Sequence, residues 1–72
     1  MKLNKFPEAL NDANTAIQYS PSAGNLFALR ADIYFKLNDF KNALKDATTA
    51  QQHGFAVNPA YIEMLQQKIT KP

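Results

Sequence analysis

Cysteine is absent from the 72 residues. That excludes a disulfide framework and thiolate metal ligation, and it fits a reducing, cytoplasmic setting, which we expect. Glycine occurs only at Gly24 and Gly54, so there is no glycine-rich loop to cradle a phosphate. The single histidine, His53, has no cysteine and no suitably spaced carboxylate beside it, which argues against a metal site. A cation-capable residue in the last turn of a helix accounts for it through the helix dipole. Ser20 and Ser22 lack a base at recognisable spacing, so no nucleophile is in evidence. Charge of one sign is missing too. Eight Lys and Arg against six Asp and Glu leave +2 with no block, and Lys36, Lys41 and Lys45 are accompanied by Asp32, Asp39 and Asp46. A basic, aromatic-interleaved face for nucleic acid is therefore not expected. No apolar run approaches the roughly 20 residues that cross a bilayer, and the amino end lacks a signal-peptide core. These absences lead us to expect no enzyme, no cofactor, no nucleic-acid partner and no membrane partner.

What is present is one stretch written twice. KLNKFPEALNDANTAIQ, from Lys2 to Gln18, returns without a gap as KLNDFKNALKDATTAQQ, from Lys36 to Gln52. The offset is 34 residues, and the shared positions include Phe6/Phe40, Ala9/Ala43, Leu10/Leu44, Asp12/Asp46, Ala13/Ala47 and Ala16/Ala50. A fixed period of that size marks a solenoid, in which each unit buries its apolar face against its neighbours. With 46% hydrophobic and 19% charged residues the chain is a folding one. At this length a lone core is marginal without a staple or an oligomeric partner.

The repeated stretch reads as helix. Phe6, Ala9, Leu10, Ala13, Ala16 and Ile17 recur at three-and-four spacing, and an alanine-centred stripe lets another helix approach closely. The first helix is expected to open at Asn4 or Lys5, to hold Pro7 in its first turn and to stop near Ser20. A second helix is expected from about Ala23 to Leu37, with Ser22 as its N-cap despite Gly24 in its first turn. Its apolar residues cover more than one face, which predicts neighbours on two sides. Asn38 and Asp39 should turn and cap the third helix, and Gly54 should stop it. Asn58-Pro59 should open a fourth, with Tyr61, Ile62, Leu65 and Ile69 inward. No strand is expected.

With Phe27, Ala31 and Tyr34 in one helix, Ala43, Ala47 and Ala50 in the next, and Tyr61 34 residues after Phe27, the chain resembles the tetratricopeptide repeat. That repeat is a helix A–turn–helix B unit of 34 residues. The resemblance implies an all-α, antiparallel helix-turn-helix array of about four helices. Residues 1–21 would be helix B of a truncated repeat, 22–55 a complete repeat, and 56–72 a C-terminal capping helix. In that register Met1 to Asn4 would be the end of one helix and the turn after it. Arg30 departs from the family pattern by replacing a leucine, Ala13 and Ala47 replace aromatics, Phe55 replaces the closing proline, and Leu65 takes a small-residue place.

Proteins of this type hold peptide segments on their A helices, which makes the chain a non-enzymatic protein–protein interaction module by resemblance. The peptide-binding positions would be Asn25, Leu29, Asp32 and Lys36, with Glu63 nearby. Chaperone-binding members clamp a terminal carboxylate. Here Asn25 and Leu29 stand in place of the clamp residues and Glu63 would repel a carboxylate, so that alternative is disfavoured. The competing class is a structural self-association element. The first helix would lack the A helix that covers its stripe, so a homo-oligomer is expected with Phe6 and Leu10 near the contact. Asp12 and Asp46, equivalent by repeat, are expected to share a structural or solvated role.

Overall fold

A computed structural model describes residues 5–70 and shows four helices, α1 (Phe6–Tyr19), α2 (Gly24–Lys36), α3 (Phe40–Gln52) and α4 (Pro59–Thr70). The expectation for Met1 to Asn4 lies outside the described residues. Short connections fold each helix back on the one before it, which is the antiparallel array expected from the repeat. α2 sits between α1 and α3, and α4 packs on α3 with Tyr61 and Leu65 reaching α2 as well. The body is flat, 33 × 31 × 18 Å. No strand occurs among the described residues.

The ends of the helices follow local chemistry. α2 and α3 stop in the same way. Asn38 (φ 62°) and Gly54 (φ 86°) adopt the left-handed conformation, and the next amide reaches back to the carbonyl five residues earlier. Those bonds are Asp39 N–H to Tyr34 O at 2.9 Å and Phe55 N–H to Ala50 O at 3.0 Å. A second bond joins Asn38 N–H to Phe35 O and Gly54 N–H to Gln51 O, which completes a Schellman motif at each end. The Asp39 carboxylate caps α3 by accepting from the Asn42 backbone N–H and, at 2.7 Å, from the Asn42 side-chain amide. Asn58 Oδ1 accepts the Ala60 N–H at 2.9 Å, ahead of which Pro59 occupies the first helical position, where no N–H is missed.

One cap differs from expectation. Ser22 does not cap α2; Ala23 stands at the N-cap position and no side chain bonds there. The reason is the turn that precedes it, in which Ala23 N–H donates to Ser20 O at 3.1 Å and carries Ser22 one residue outside the helix. α1 likewise begins at Phe6, with Lys5 as an N-cap without a side-chain bond and Pro7 in the first turn.

The core is a seam of small side chains. Ala13, Ala31, Ala43, Ala47 and Ala50 are buried, and among the described residues Ile33 and Leu65 are the only larger apolar side chains to join them fully. Alanine brings backbones together, so the helices touch closely over little apolar area. At Gly24 the approach is closest. A Cβ placed there would stand 2.9 Å from Phe55 Cβ and 3.0 Å from the Ala50 carbonyl oxygen. Leu65 comes from α4 into this seam and packs, with no exposed surface, against Ala31, Ala43 and Ala47. Bulk at this repeat position is thus taken up by the alanines of the preceding pair. Around the seam lie Tyr34, Phe35, Phe40, Leu44, Tyr61 and Ile62, and the Phe35 ring meets those of Phe40 and Tyr61 at 5.6 and 6.1 Å.

Tightness makes the seam intolerant of added volume. Ala47→Leu should cost about 1–3 kcal/mol by overpacking. Gly24→Ala should also destabilise, although the same change in an open helix gains up to about 1 kcal/mol. Thermal melts of both variants check this, and an unchanged or raised midpoint for either would mean that the helices do not meet as closely as the Gly24 and alanine contacts require.

Candidate functional site

Among the described residues one polar network reaches the alanine seam. Asp46, 2% exposed, lies on α3 between Ala43, Ala47 and Ala50. Arg30 of α2 answers it with a fork: Nε–H donates to Oδ2 at 2.7 Å and Nη2–H to Oδ1 at 2.9 Å. The remaining nitrogen, Nη1, donates to Asn14 Oδ1 of α1 at 2.8 Å, so a single guanidinium ties three helices. Its plane also lies near the rings of Phe27 and Tyr34, 5.5 and 5.8 Å from the centroids. The Asp46 hydrogen bond raises the Arg30 pKa above its ordinary value against the opposing effect of burial. His53, expected to be explained by the dipole of its helix, ends α3 with its ring stacked 5.7 Å from that of Phe27.

Two grooves flank α2. The larger, about 470 Å3, runs between α1 and α2. Phe6, Ala9, Asp12, Ala13 and Ala16 form its α1 wall, and Leu29, Asp32, Ile33 and Lys36 its α2 wall. The smaller, about 220 Å3, lies where α2 and α3 meet the segment leading into α4; Ala28, Asp32, Phe55, Val57 and Tyr61 are among its walls. Burial, and to a lesser degree the charge of Asp32, raises the Tyr61 pKa. Both openings are apolar on the floor and charged on the rim, which suits a ligand that buries carbon while satisfying a few polar groups.

The residues expected to bind a peptide form one exposed stripe of α2. Leu29, Asp32 and Lys36 line the larger groove, whereas Asn25 lines neither. Lys36 Nζ is 3.9 Å from Asp32 Oδ2, an exposed pair one helical turn apart. Phe6, expected at a self-association contact, faces the same groove, so two separate expectations meet in one place. Leu10 is half-buried and outside the groove. Glu63 is exposed and lines neither opening.

The Arg30–Asp46–Asn14 network was not anticipated. Arg30 reads as a departure from a leucine pattern, and Asp46 as the twin of Asp12. The signal was nonetheless present, since an acid inside an alanine stripe and a base inside a largely apolar helix are each costly to bury alone. The twins also diverge: Asp46 is buried and paired, while Asp12 is exposed on the groove wall.

Comparison with family models, with curated proteins and with solved structures gives no significant match.

Tyr61 links the smaller groove to pH. Its raised pKa means that ionisation is easier in the unfolded chain, so the stability it contributes is complete below the ordinary tyrosine value. That contribution is lost as pH rises through the folded value. Tyr61→Phe should therefore flatten part of the alkaline decline in urea-unfolding free energy from about pH 9 to 11. An identical decline in the variant would remove Tyr61 from the explanation.

Proposed function

We propose that the chain is a non-enzymatic protein–protein interaction module, at work in the cytoplasm, that holds a segment of a partner protein against the face shared by α1 and α2. The observation that carries this reading is the larger groove itself. Apolar side chains from two helices, Phe6, Ala9, Ala16, Leu29 and Ile33, converge there under a rim of Asp12, Asp32 and Lys36. Leu29 stands half exposed, at 50% of its free surface, where an occupant would cover it. The tetratricopeptide resemblance supports the same function, since repeats of that kind serve as scaffolds and hold partner segments. The two carboxylates on the rim disfavour an acidic tail or a terminal carboxylate, and with them the chaperone-binding alternative.

A second reading is self-association. Leu29, Tyr19 (83% exposed) and Phe55 (41%) are large apolar side chains left in solvent, and a second copy could cover the first of them together with Phe6.

A peptide library screened against the chain, followed by amide chemical-shift mapping, separates the readings. The first expects selected peptides of mixed or apolar character to shift the amides of Ala9, Leu29 and Ile33, and Leu29→Arg to abolish binding. Sedimentation equilibrium supplies the other arm. Self-association that Leu29→Arg dissolves, together with no selected peptide, would replace the first reading with the second.

A further inference from the structure

The α2–α3 contact shows what fits the open face of α1, because the two faces are written in the same residues. α2 covers the side of α3 that carries Phe40, Ala43, Asp46, Ala47 and Ala50. One period earlier stand Phe6, Ala9, Asp12, Ala13 and Ala16, and these five make the α1 wall of the larger groove. On α3 the alanines receive Ala31 and Gly24, Phe40 receives the Phe35 ring, and Asp46 receives the arginine fork. On α1 Ala13 is already buried, but Phe6, Ala9 and Ala16 stay partly exposed, and Asp12 is exposed with no ion-pair partner among the described residues.

We propose that this groove is the seat of a partner helix built like α2. Translating the contact by one repeat specifies its chemistry. An arginine would face Asp12, a small residue would follow it, as Ala31 follows Arg30, and aromatic residues would stand three before and four or five after, as Phe27, Tyr34 and Phe35 do. The electrostatics agree. Lys36 is already paired with Asp32 across 3.9 Å, which leaves Asp12 as the uncompensated charge of the rim. A lysine would offer a point charge without the planar fork that fits a carboxylate at two oxygens.

The occupant is a partner and not a second copy of this chain. Within the sequence the pattern occurs only in α2, whose arginine is committed to Asp46, and α4 carries Met64 at the arginine's place. A second copy could supply α2 only by opening its own core. This inference rests on the reading that the α1–α2 face binds a protein segment, and it adds the segment's conformation and its anchoring charge.

The test uses the full chain and, as probe, a fluorescein-labelled helical peptide with the sequence of residues 22–37. Fluorescence anisotropy should show saturable binding. Asp12→Asn in the chain, with an unchanged circular dichroism spectrum and melt, should weaken it about tenfold or more, the equivalent of about 1.4 kcal/mol. Arg30→Ala in the peptide should weaken binding to the same degree, and the two changes together should be little worse than either alone. Equal binding to the chain and to Asp12→Asn would mean that the peptide sits elsewhere, for instance by displacing α2 from Asp46. That result overturns the inference and leaves the protein-binding reading standing. So would failure of this peptide alongside groove binding by library-selected extended segments. Failure of every peptide, with self-association alone observed, would overturn both.

Discussion

Arg30 and Asp46 are brought within 2.7 Å by a seam that has almost no side chain in it. The order of causes runs from alanine to charge. Ala43, Ala47 and Ala50 let α2 lie close on α3; close packing removes water from Asp46; and a dehydrated carboxylate needs a cation in one geometry, which Arg30 supplies with two parallel bonds. Such a pair adds little net stability over an apolar pair of equal volume, but an unanswered carboxylate in its place would cost several kcal/mol. Its effect is therefore on register. Sliding α2 along α3 by one turn would bury both charges alone, so the alanine seam sets the separation of the helices and the ion pair sets their alignment. The third nitrogen, on Asn14, extends that alignment to α1 and so fixes the opening of the groove.

Where an element is decided by its own residues, it was legible in the sequence. The array, its four helices and the caps at Asn38-Asp39, Gly54 and Asn58-Pro59 follow from spacing, from the left-handed tolerance of glycine and asparagine, and from the donor that proline lacks. Ser22 failed as a cap because a turn set by Ser20 and Pro21 moved it, a matter of geometry that residue preference does not carry. Leu65 was placed inward correctly, although its repeat position is one for a small residue. Its bulk enters the space left by three alanines on α2 and α3.

The candidate site was legible in part for a related reason. Exposure of Leu29, Asp32 and Lys36 along one stripe is a property of one helix and can be counted from the sequence. Their meeting with Phe6 and Asp12 across a groove depends on how two helices cross, which spacing within either helix does not state. The repeat encouraged a symmetric reading of Asp12 and Asp46, but identical residues on α1 and α3 have different neighbours. α2 covers Asp46 on α3, whereas the matching face of α1 leaves Asp12 exposed, and an aspartate takes its character from what covers it.

A double-mutant cycle on the central pair tests this account most directly, with Arg30→Met, Asp46→Ala and the double variant compared by urea unfolding. Methionine is apt because α4 carries Met64 at the equivalent position. If the pair aligns α2 on α3, each single variant loses about 2–4 kcal/mol and the double variant loses well under the sum, a coupling of about 2 kcal/mol or more. Small single losses that add, with coupling under about 0.5 kcal/mol, would show that the alanine seam alone positions the helices and that the fork is incidental to the fold.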